Sequence, residues 1–403
     1  MNDEWGGAEM GDWWMSNLTM YRALNFAGYD VNHVWGAGTH NGAQAAAAFP
    51  DAMRWIWRDW PAPITAKPPA NRVLKAVLQP NERWNLAADG CAAGLELAAN
   101  LQGEVLYQAA GTGAPSLTSS GTTVACGKPD SQQPFAIGPD GRLYRAQPES
   151  GIEVLSPGAD KRALQKSGRD LRVCSLKVRN NGDIYATTVP RDGQNELWLL
   201  PSHGPARKLD EGLRDARGIA ISPDGLWLFV AQGSSRFGIS YRVHADGTVD
   251  AREPFYDFDV PAGADDPGPA QVAMDSDGRP NVATRMDVQI FDRNGKVAAI
   301  IPLPGNEVPT GICFSGRDFD TLYVAAGDKI YKRKMRVKGA APWAAPSKLP
   351  PSGAGKCGIE RRCSGQCWFK EARQTLVSCY GAAPAPYRRG RPDAPRSSSA
   401  SLH

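Results

Sequence analysis

His40 has the surroundings of a side chain that handles protons, and it is one of five histidines in the 403-residue chain. It lies between Gly38 and Gly42 in the segment VNHVWGAGTHNGAQ, where glycines allow a tight loop that approaches other groups closely. An imidazole in such a loop is a candidate general base. An ordinary polar loop histidine is the commoner case, and the residues around His40 leave both interpretations open.

The elements that flank His40 are predicted to be a strand and a helix. Residues 31–35 form a short apolar run that favours a strand, and from Ala43 helix formers lead to apolar residues at helical spacing as far as Trp57. Loops between a strand's carboxyl end and a helix are where α/β enzymes carry side chains that act on substrate. This setting favours a catalytic role more than an isolated histidine would.

The eight cysteines form two groups. Four occur singly beside apolar or small residues and are predicted to be buried thiols: Cys91, Cys126, Cys174 and Cys313. Four others lie near the carboxyl terminus with five, three and eleven residues between them: Cys357, Cys363, Cys367 and Cys379. Zinc sites use paired short spacings such as C-x-x-C, so this second pattern disfavours a zinc site.

The composition is that of a globular protein with two or three domains: 42% of residues are hydrophobic and 22% charged. The net charge is +4, and much of the excess lies in the segment YRRGRPDAPR, so nucleic-acid binding is not expected. No run of about 18 apolar residues predicts a membrane span, and no secretory signal opens the chain.

An internal repeat organises the middle of the chain. Six segments, among them GPDGRLYRAQ, RNNGDIYATT and SPDGLWLFVAQ, each combine a turn, usually Asp-Gly or Asn-Gly, with a strand of aromatic and β-branched residues. The turn glycines at 103, 141, 182, 225 and 278 are 38, 41, 43 and 53 residues apart. A period near 40 residues fits a four-stranded propeller blade. We therefore predict a mainly β fold, a six-bladed β-propeller over residues 86–337, and rank a β-sandwich behind it.

The flanking segments differ from the repeats in composition and periodicity. Residues 61–85 are proline-rich and predict a stiff connector, and residues 338–403 lack periodicity and predict a disordered tail. Residues 1–60 carry helical periodicity and are expected to be a separate small α/β piece.

Residues 1–60 resemble the carboxyl-terminal end of an esterase-D or enterochelin-esterase type α/β-hydrolase. The likeness runs from NDEWGG through MSNLTMYRALNFAGYDVNHVWGAGTHNGAQ to MRWIWRDWP. It implies that Asp3 is the acid and His40 the base of a serine triad. No G-x-S-x-G serine motif occurs in the chain, so we expect an upstream segment to be missing and the esterase part to be inactive. The cellular location stays open for the same reason, with a periplasmic or secreted protein among the alternatives.

The repeats resemble the gluconolactonase, regucalcin and senescence-marker-protein family of six-bladed propellers. The residues that carry the likeness are GIAISPDGLWLFVA, VAMDSDGRPNVATRMDVQIFDRNGKVAAIIPLPG and FDTLYVAAGDKIYKRK. The family implies a divalent metal, calcium, magnesium or manganese, at the top of the channel, held by a glutamate, two asparagines and an aspartate. Such a metal would polarise a lactone carbonyl for attack.

Carried over residue by residue, the implied metal site is degenerate. The two asparagine positions fall on Cys174 and Arg217, the aspartate position falls on Ala270, and only Glu96 keeps a plausible ligand. An arginine cannot lose its charge and repels a divalent cation. Asp89 is a more distant alternative to Glu96. Three acids that flank the channel-side loops could supply a different site, although exposed loop acids are the commoner case: Asp265, Asp266 and Asp287.

Two functions therefore remain open from the sequence. The first is a hydrolase that opens lactones or carboxylic esters, as both resemblances imply. The second is a non-catalytic propeller that binds a small anionic ligand or a protein partner. A lactone, an ester or a sugar acid is the expected small molecule, and the oligomeric state is left open.

The missing serine leads to a direct test of the esterase-like part. We expect the chain to hydrolyse nitrophenyl esters no faster than buffer does, and His40→Ala to leave that rate unchanged, because an imidazole without a nucleophile has no proton to accept. Turnover that falls when His40 is replaced would reveal a nucleophile elsewhere in the chain.

Overall fold

The structure is a computed structural model that describes most of the chain between Trp13 and Pro350. The described residues are 13–36, 42–62, 70–91, 94, 96–108, 115–117, 124–125, 133–147, 151–155, 162–164, 171–341 and 343–350. The chain divides into two compact units, and all of these residues belong to the first, Met1–Pro350.

Helices come first and strands follow. The helices of the described residues are α1 (Trp13–Ala27), α2 (Gly42–Ile56) and α3 (Arg72–Val77). The strands form six sheets in the described part of the chain. They are β2–β4 (Ala98–Ala99, Val105–Gln108, Pro115–Leu117); β6–β9 (Phe135–Ile137, Leu143–Gln147, Gly151–Leu155, Arg162–Leu164); β10–β13 (Val173–Val178, Ile184–Thr188, Asn195–Leu200, Arg207–Leu213); β14–β17 (Ala216–Ile221, Trp227–Gln232, Phe237–Val243, Val249–Asp257); β18–β21 (Val272–Met274, Pro280–Thr284, Asp287–Phe291, Val297–Ile301); and β22–β24 (Pro309–Ser315, Thr321–Ala326, Lys329–Lys334) with β1 (Asn85–Asp89) and β5 (Val124–Ala125).

The first strand of each sheet lies on a closed ring around a central channel. Strands β2, β6, β10, β14, β18 and β22 each contact the next, and β22 contacts β2. Apolar side chains of neighbouring sheets fill the wedges between them, as where Tyr185 and Leu197 meet Val230 and Tyr241. The chain is therefore a mainly β propeller, as its repeats predict. We call the end of the channel where these inner strands begin the upper end, and the end where they finish the lower end.

Blade number is where the sequence prediction and the structure differ. Five sheets contain at least four strands, the complement of a propeller blade, whereas β2–β4 has three strands in the described residues. The strand that follows it, β5, pairs in parallel with β1 of the last sheet, with Val124 opposite Ala88. The expected set of six equal blades is thus replaced by five complete blades and one three-stranded sheet.

The turn glycines that defined the repeat occupy the left-handed region of backbone space. All five, at positions 103, 141, 182, 225 and 278, have φ between 73° and 87°. At Gly103 a side chain is excluded for a second reason, because a Cβ would lie 2.2 Å from the carbonyl oxygen of Gly316. The N–H of Gly316 donates to the carbonyl of Gly103 at 2.9 Å, so this close approach ties the first sheet to the last.

The predicted connector, residues 61–85, contains a helix that packs on the propeller. Asn71 caps α3 by accepting hydrogen bonds from the N–H groups of Val73 and Leu74 at 2.9 and 3.1 Å. Its Nδ2 donates to the carbonyl of Ala298 at 2.7 Å, and Val77 is fully buried in the apolar cluster of the last two sheets. The prolines of the segment suggested extended chain, but the apolar face of α3 finds a partner on the propeller.

The amino-terminal helices agree with the predicted helices, whereas the predicted strand is wrong. Residues 31–35 have no strand partner, and His33 and Trp35 pack instead on aromatic rings of α1, with 4.4 Å between the ring centres of Tyr21 and His33. No residue of α2 is buried. None of the helices in the described residues is long and apolar enough to cross a membrane.

Residues 339–341 and 343–347, here called the lower segment, lie across the lower end of the channel. Gly339 and Ala340 hydrogen-bond to the backbone of Phe319 and Met274, and Ser347 to that of Pro223, which follows β14 of the neighbouring sheet. Between them Trp343 packs against the cluster formed by the first two sheets. The predicted disordered tail from residue 338 is therefore wrong for these residues, because the propeller offers them backbone partners and an apolar recess.

The side chain of Gln271, at the start of β18, joins three sheets inside the channel. Its Oε1 accepts hydrogen bonds from the N–H groups of Leu97 at 2.9 Å and Ile312 at 2.8 Å. Its Nε2 donates to the carbonyl of Leu97 at 2.8 Å. Leu97 precedes β2 and Ile312 lies in β22, so one amide holds the first, fifth and sixth sheets together.

Replacement of Gln271 with leucine keeps the side-chain volume but leaves two backbone N–H groups and one carbonyl without partners. We expect Gln271→Leu to lower the free energy of unfolding by about 2–4 kcal/mol, measured by denaturant titration. Gln102→Leu, on an exposed turn, is the matched control and should change it by less than about 0.5 kcal/mol. Equal losses in both variants would contradict a joining role for Gln271.

Candidate functional site

A pocket of about 310 Å³ opens at the upper end of the channel. Its walls come from the starts of neighbouring inner strands, with Glu96 ahead of β2, Phe135 on β6 and Cys174 on β10, and from Val189 after β11. We call it the mouth pocket. Because the inner strands of a propeller converge on the axis, residues distant in sequence meet here.

Glu96 is the carboxylate of the mouth pocket. It is half-buried, and burial raises its pKa from 4.5 to about 7. A hydrogen bond with the backbone of Phe135 lowers the pKa, but by less than burial raises it. A carboxyl group in this state is protonated in about half of the molecules at neutral pH. It can therefore donate a hydrogen bond to a ligand oxygen as well as accept one.

Cys174 is held by backbone and side-chain oxygens. Its Sγ lies 3.1 Å from the carbonyl oxygen of Thr188 and 3.0 Å from that of Ala216, with the hydroxyl of Thr187 at 3.2 Å. Burial, and to a smaller extent the charges of Glu96 and Asp215, together raise the pKa of the thiol to about 11. The sulfur is therefore a neutral thiol, unsuited to acting as a nucleophile or an anionic metal ligand at neutral pH.

Arg217 stands at the start of β14 beside Cys174, and its side chain is exposed. Its Nε donates to Oδ2 of Asp215 at 2.8 Å, and this hydrogen bond raises the pKa of the guanidinium. Asp215 has φ of +50° and accepts the N–H of Gly233 on its carbonyl at 2.7 Å, so a tight turn fixes it. The Nη groups of Arg217 have no protein partner among the described residues and remain available to an anion.

The other acids considered as substitute ligands are separated or already paired. Asp266 lies 3.2 Å from the guanidinium of Arg285, and Asp287 is half-buried with its pKa raised by burial. Asp89 lies on β1, the fourth strand of the last sheet counted from the channel, 3.9 Å from Nζ of Lys329. Ala270 offers no donor group, and its carbonyl packs where a Cβ of Gly218 would stand, 2.3 Å away.

A lysine and a second thiol, which the sequence analysis did not single out together, lie deeper in the channel. Lys177 on β10 and Cys313 on β22 line a narrow cavity of about 80 Å³ below Glu96. Burial lowers the pKa of the Lys177 amine and raises that of the Cys313 thiol to about 12. The sequence signal for this lysine is a single charged residue, at the fifth position of the inner strand VCSLKV.

Comparison with known proteins agrees with this architecture. A family model described as the SMP-30/gluconolactonase/LRE-like region matches residues 101–328. The chain belongs to this family. No curated protein sequence matches the chain.

Solved structures of the SMP-30/gluconolactonase/LRE-like family share the propeller fold. A candidate gluconolactonase is 15% identical, with a TM-score of 0.54 over 68% of this chain and 98% of its own. A gluconolactonase from Xanthomonas campestris is 19% identical, with a TM-score of 0.52 over 66% and 93%. A luciferin-regenerating enzyme is 15% identical, with a TM-score of 0.50 over 67% and 99%. At these identities the likeness establishes the fold alone.

The SMP-30/gluconolactonase/LRE-like family implies a divalent metal, and the donor set of this chain does not fit one. The described residues contain no group of three or more His, Cys, Asp or Glu side chains that could hold a metal ion. Among the described residues at the mouth, the side chains that could serve as donors are Glu96, whose pKa is raised, the neutral thiol of Cys174, and Asp215, whose carboxylate already accepts from the guanidinium of Arg217. Hard divalent cations require several oxygen ligands, so these residues do not fit a metal held in the family's manner.

Some predicted residues cannot be placed, and one cysteine differs from its prediction. Asp3 and His40 lie outside the described residues, as do Cys126 and the four cysteines of the tail. Cys174 and Cys313 are free, as expected. Cys91 was predicted to be a buried free thiol and is disulfide-bonded. The residues around Cys91, just after β1, do not distinguish a buried free thiol from a half-cystine.

The raised pKa of Glu96 predicts a pH-dependent cost to stability. The folded protein binds this proton more tightly than the unfolded chain, so stability contributed by protonated Glu96 is present below pH 4.5 and lost as the pH rises to about 7. We expect the melting temperature of Glu96→Gln, relative to the native chain, to rise across this window and level off above it. Glu253→Gln, an exposed acid on β17, should show no such trend. A flat difference for Glu96→Gln would show that the carboxyl titrates normally.

Proposed function

We propose that this member of the gluconolactonase family binds a small hydroxylated acid or lactone at the mouth pocket and has lost metal-dependent lactone hydrolysis. The observation that carries the proposal is Arg217, an exposed guanidinium at a position that the family resemblance assigns to a metal-binding asparagine. Asp215 accepts a hydrogen bond from Nε of Arg217 alone, so the Nη donors of Arg217 remain for a ligand carboxylate. Arginine recognises carboxylates through this planar pair of N–H groups.

Glu96 complements Arg217 in this role. Partly protonated at neutral pH, it can donate to a hydroxyl or carbonyl oxygen without repelling an anion. The mouth pocket of about 310 Å³ is of a size for a six-carbon sugar acid. A sugar acid that presents its carboxylate to Arg217 and its hydroxyls to Glu96 satisfies both groups.

A second candidate is lactone hydrolysis, the chemistry that gives the family its name. Glu96 favours it, because it is the one position of the implied ligand set that keeps a carboxyl group. Without a Lewis acid the carbonyl of a lactone is attacked slowly by water at neutral pH, so hydrolysis ranks behind binding.

The proposal also includes the number of blades and the origin of residues 1–60. We take the three-stranded sheet β2–β4 as the first of six blades, since its inner strand β2 occupies a place in the ring. The esterase-like origin of residues 1–60 also stays a proposal, and it adds no activity to the chain.

Calorimetry with gluconate tests the binding role, and the rate of gluconolactone opening tests the catalytic one. We expect gluconate to bind, Arg217→Gln to weaken binding about tenfold, and gluconolactone to open at the uncatalysed rate with or without calcium or manganese. The paired replacement of Arg217→Asn and Ala270→Asp should gain measurable metal affinity, because it removes a cation and adds an oxygen ligand.

Arg236→Gln is the matched control for Arg217→Gln. Arg236 is exposed to a similar extent, 58% against 61%, and its Nε also lies 2.8 Å from an aspartate, Asp257. It should leave gluconate binding unchanged. Metal-stimulated turnover that Glu96→Gln abolishes would overturn the proposal and establish the lactonase.

A further inference from the structure

A second and larger pocket adjoins the mouth pocket on the upper face. It measures about 640 Å³ and lies over the upper ends of β10–β13, between Arg172, Arg191, Trp198 and Glu211. We call it the rim pocket. Val189 lines both pockets, and the backbone of Thr188 and Val189 forms the wall between them.

Hydrogen bonds hold that wall in place. The carbonyl of Thr188 accepts from Nδ2 of Asn195 at 2.6 Å and lies 3.1 Å from Sγ of Cys174 in the mouth pocket. Oδ1 of Asn195 accepts the N–H of Ala216 at 3.0 Å, one residue before Arg217. The floor of the rim pocket and the position of Arg217 are therefore joined through one buried asparagine.

Two arginines at the rim pocket are set by the backbone and lack acidic partners. The N–H of Val189 donates to the carbonyl of Arg172 at 2.6 Å. Arg191 begins a tight turn through Asp192 and Gly193, both with positive φ, that its backbone closes with Gln194 at 2.8 and 2.9 Å. Among the described residues no carboxylate pairs with either guanidinium.

The two acids of the rim pocket are, by contrast, occupied. Lys208 lies 2.6 Å from Glu211 and 3.5 Å from Glu196, and Nε1 of Trp198 donates to Glu196 at 2.8 Å. With Lys208 the rim pocket has three cationic and two anionic side chains, a net charge of +1, and neither arginine is held by an acid. The pocket combines apolar side chains, Leu171, Val189 and Trp198, with free guanidinium groups, the features that bind a phosphate or a carboxylate on an organic molecule.

We propose that the rim pocket is an anion-binding subsite that holds a second anionic group, phosphate or carboxylate, of an extended ligand. This inference rests on the proposed function for the other end of that ligand, whose carboxylate lies at Arg217, beside the mouth pocket. The preferred ligand class is then a sugar acid with anions at both ends, a phosphorylated acid or a dicarboxylate. A monoanionic acid fills only the mouth pocket.

Calorimetry at low ionic strength with four probes tests this assignment: pyrophosphate, gluconate, 6-phosphogluconate and glucarate. We expect 6-phosphogluconate or glucarate to bind about tenfold or more tightly than gluconate. Arg172→Gln and Arg191→Gln should each remove most of that gain and weaken pyrophosphate binding, while leaving gluconate binding unchanged. The stronger of the two dianionic probes identifies the second group as phosphate or carboxylate.

Arg317→Gln is the control, because Arg317 is an exposed arginine on the turn between β22 and β23, at the lower face, and contacts neither pocket. It should alter none of the four affinities. Melting temperatures of all variants establish that each remains folded.

The outcomes separate the two proposals. Pyrophosphate binding that depends on Arg172 and Arg191 supports the subsite even where gluconate fails to bind, a result that overturns only the proposed function. The subsite alone is overturned if three results occur together. Gluconate binding depends on Arg217, 6-phosphogluconate and glucarate bind no more tightly than gluconate, and Arg172→Gln and Arg191→Gln leave the affinity for pyrophosphate unchanged.

Discussion

The antiparallel pairing of β1 with β24 is the contact on which the rest of the molecule depends. It brings residues from the start of the propeller to its last sheet, with Leu86 opposite Tyr331 and Ala88 opposite Ile330. Without it the ring would be open at one wedge, and the edge of β24 would face water with unpaired backbone groups. With it, the inner strands are held around one axis, and the groups at their upper ends meet in a single pocket.

That convergence makes the chemistry of the mouth sensitive to the sign of each charge. A site with several carboxylates is stabilised by a divalent cation, whereas one with a guanidinium and a half-protonated acid is stabilised by an anion. In this chain Arg217 and its partner Asp215 form a pair that is neutral overall, and the remaining N–H groups are directional. A few substitutions at these positions can therefore change the preferred ligand of the fold from a cation to an anion, since the strands fix where the side chains point.

The sequence predicted the parts of the structure that arise from local rules. Turn glycines needed positive φ, alternating apolar residues needed a buried face, and the period near 40 residues gave the blade. The family resemblance assigned Glu96, Cys174 and Arg217 to metal-ligand positions. In the structure Glu96 and Cys174 line the mouth pocket, and Arg217 lies at the start of β14 beside Cys174. The resemblance could not predict the protonation state of Glu96, since its pKa depends on burial by residues of other blades.

Other features depended on long-range contacts that no local pattern carries. Whether the proline-rich segment formed a helix was decided by the recess that receives Val77. Whether residues after 338 were ordered was decided by the space that receives Trp343. Asp192-Gly193 is a typical turn dipeptide, but its role in setting Arg191 beside a pocket depends on the position of β10.

The lower segment gives the channel a direction. Gly339, Ala340 and Trp343 cover part of the lower end, so the two ends of the channel differ in the access that they give to solutes. A molecule bound at the mouth stands above the narrow cavity that Lys177 lines and narrows the upper route between that cavity and bulk solvent.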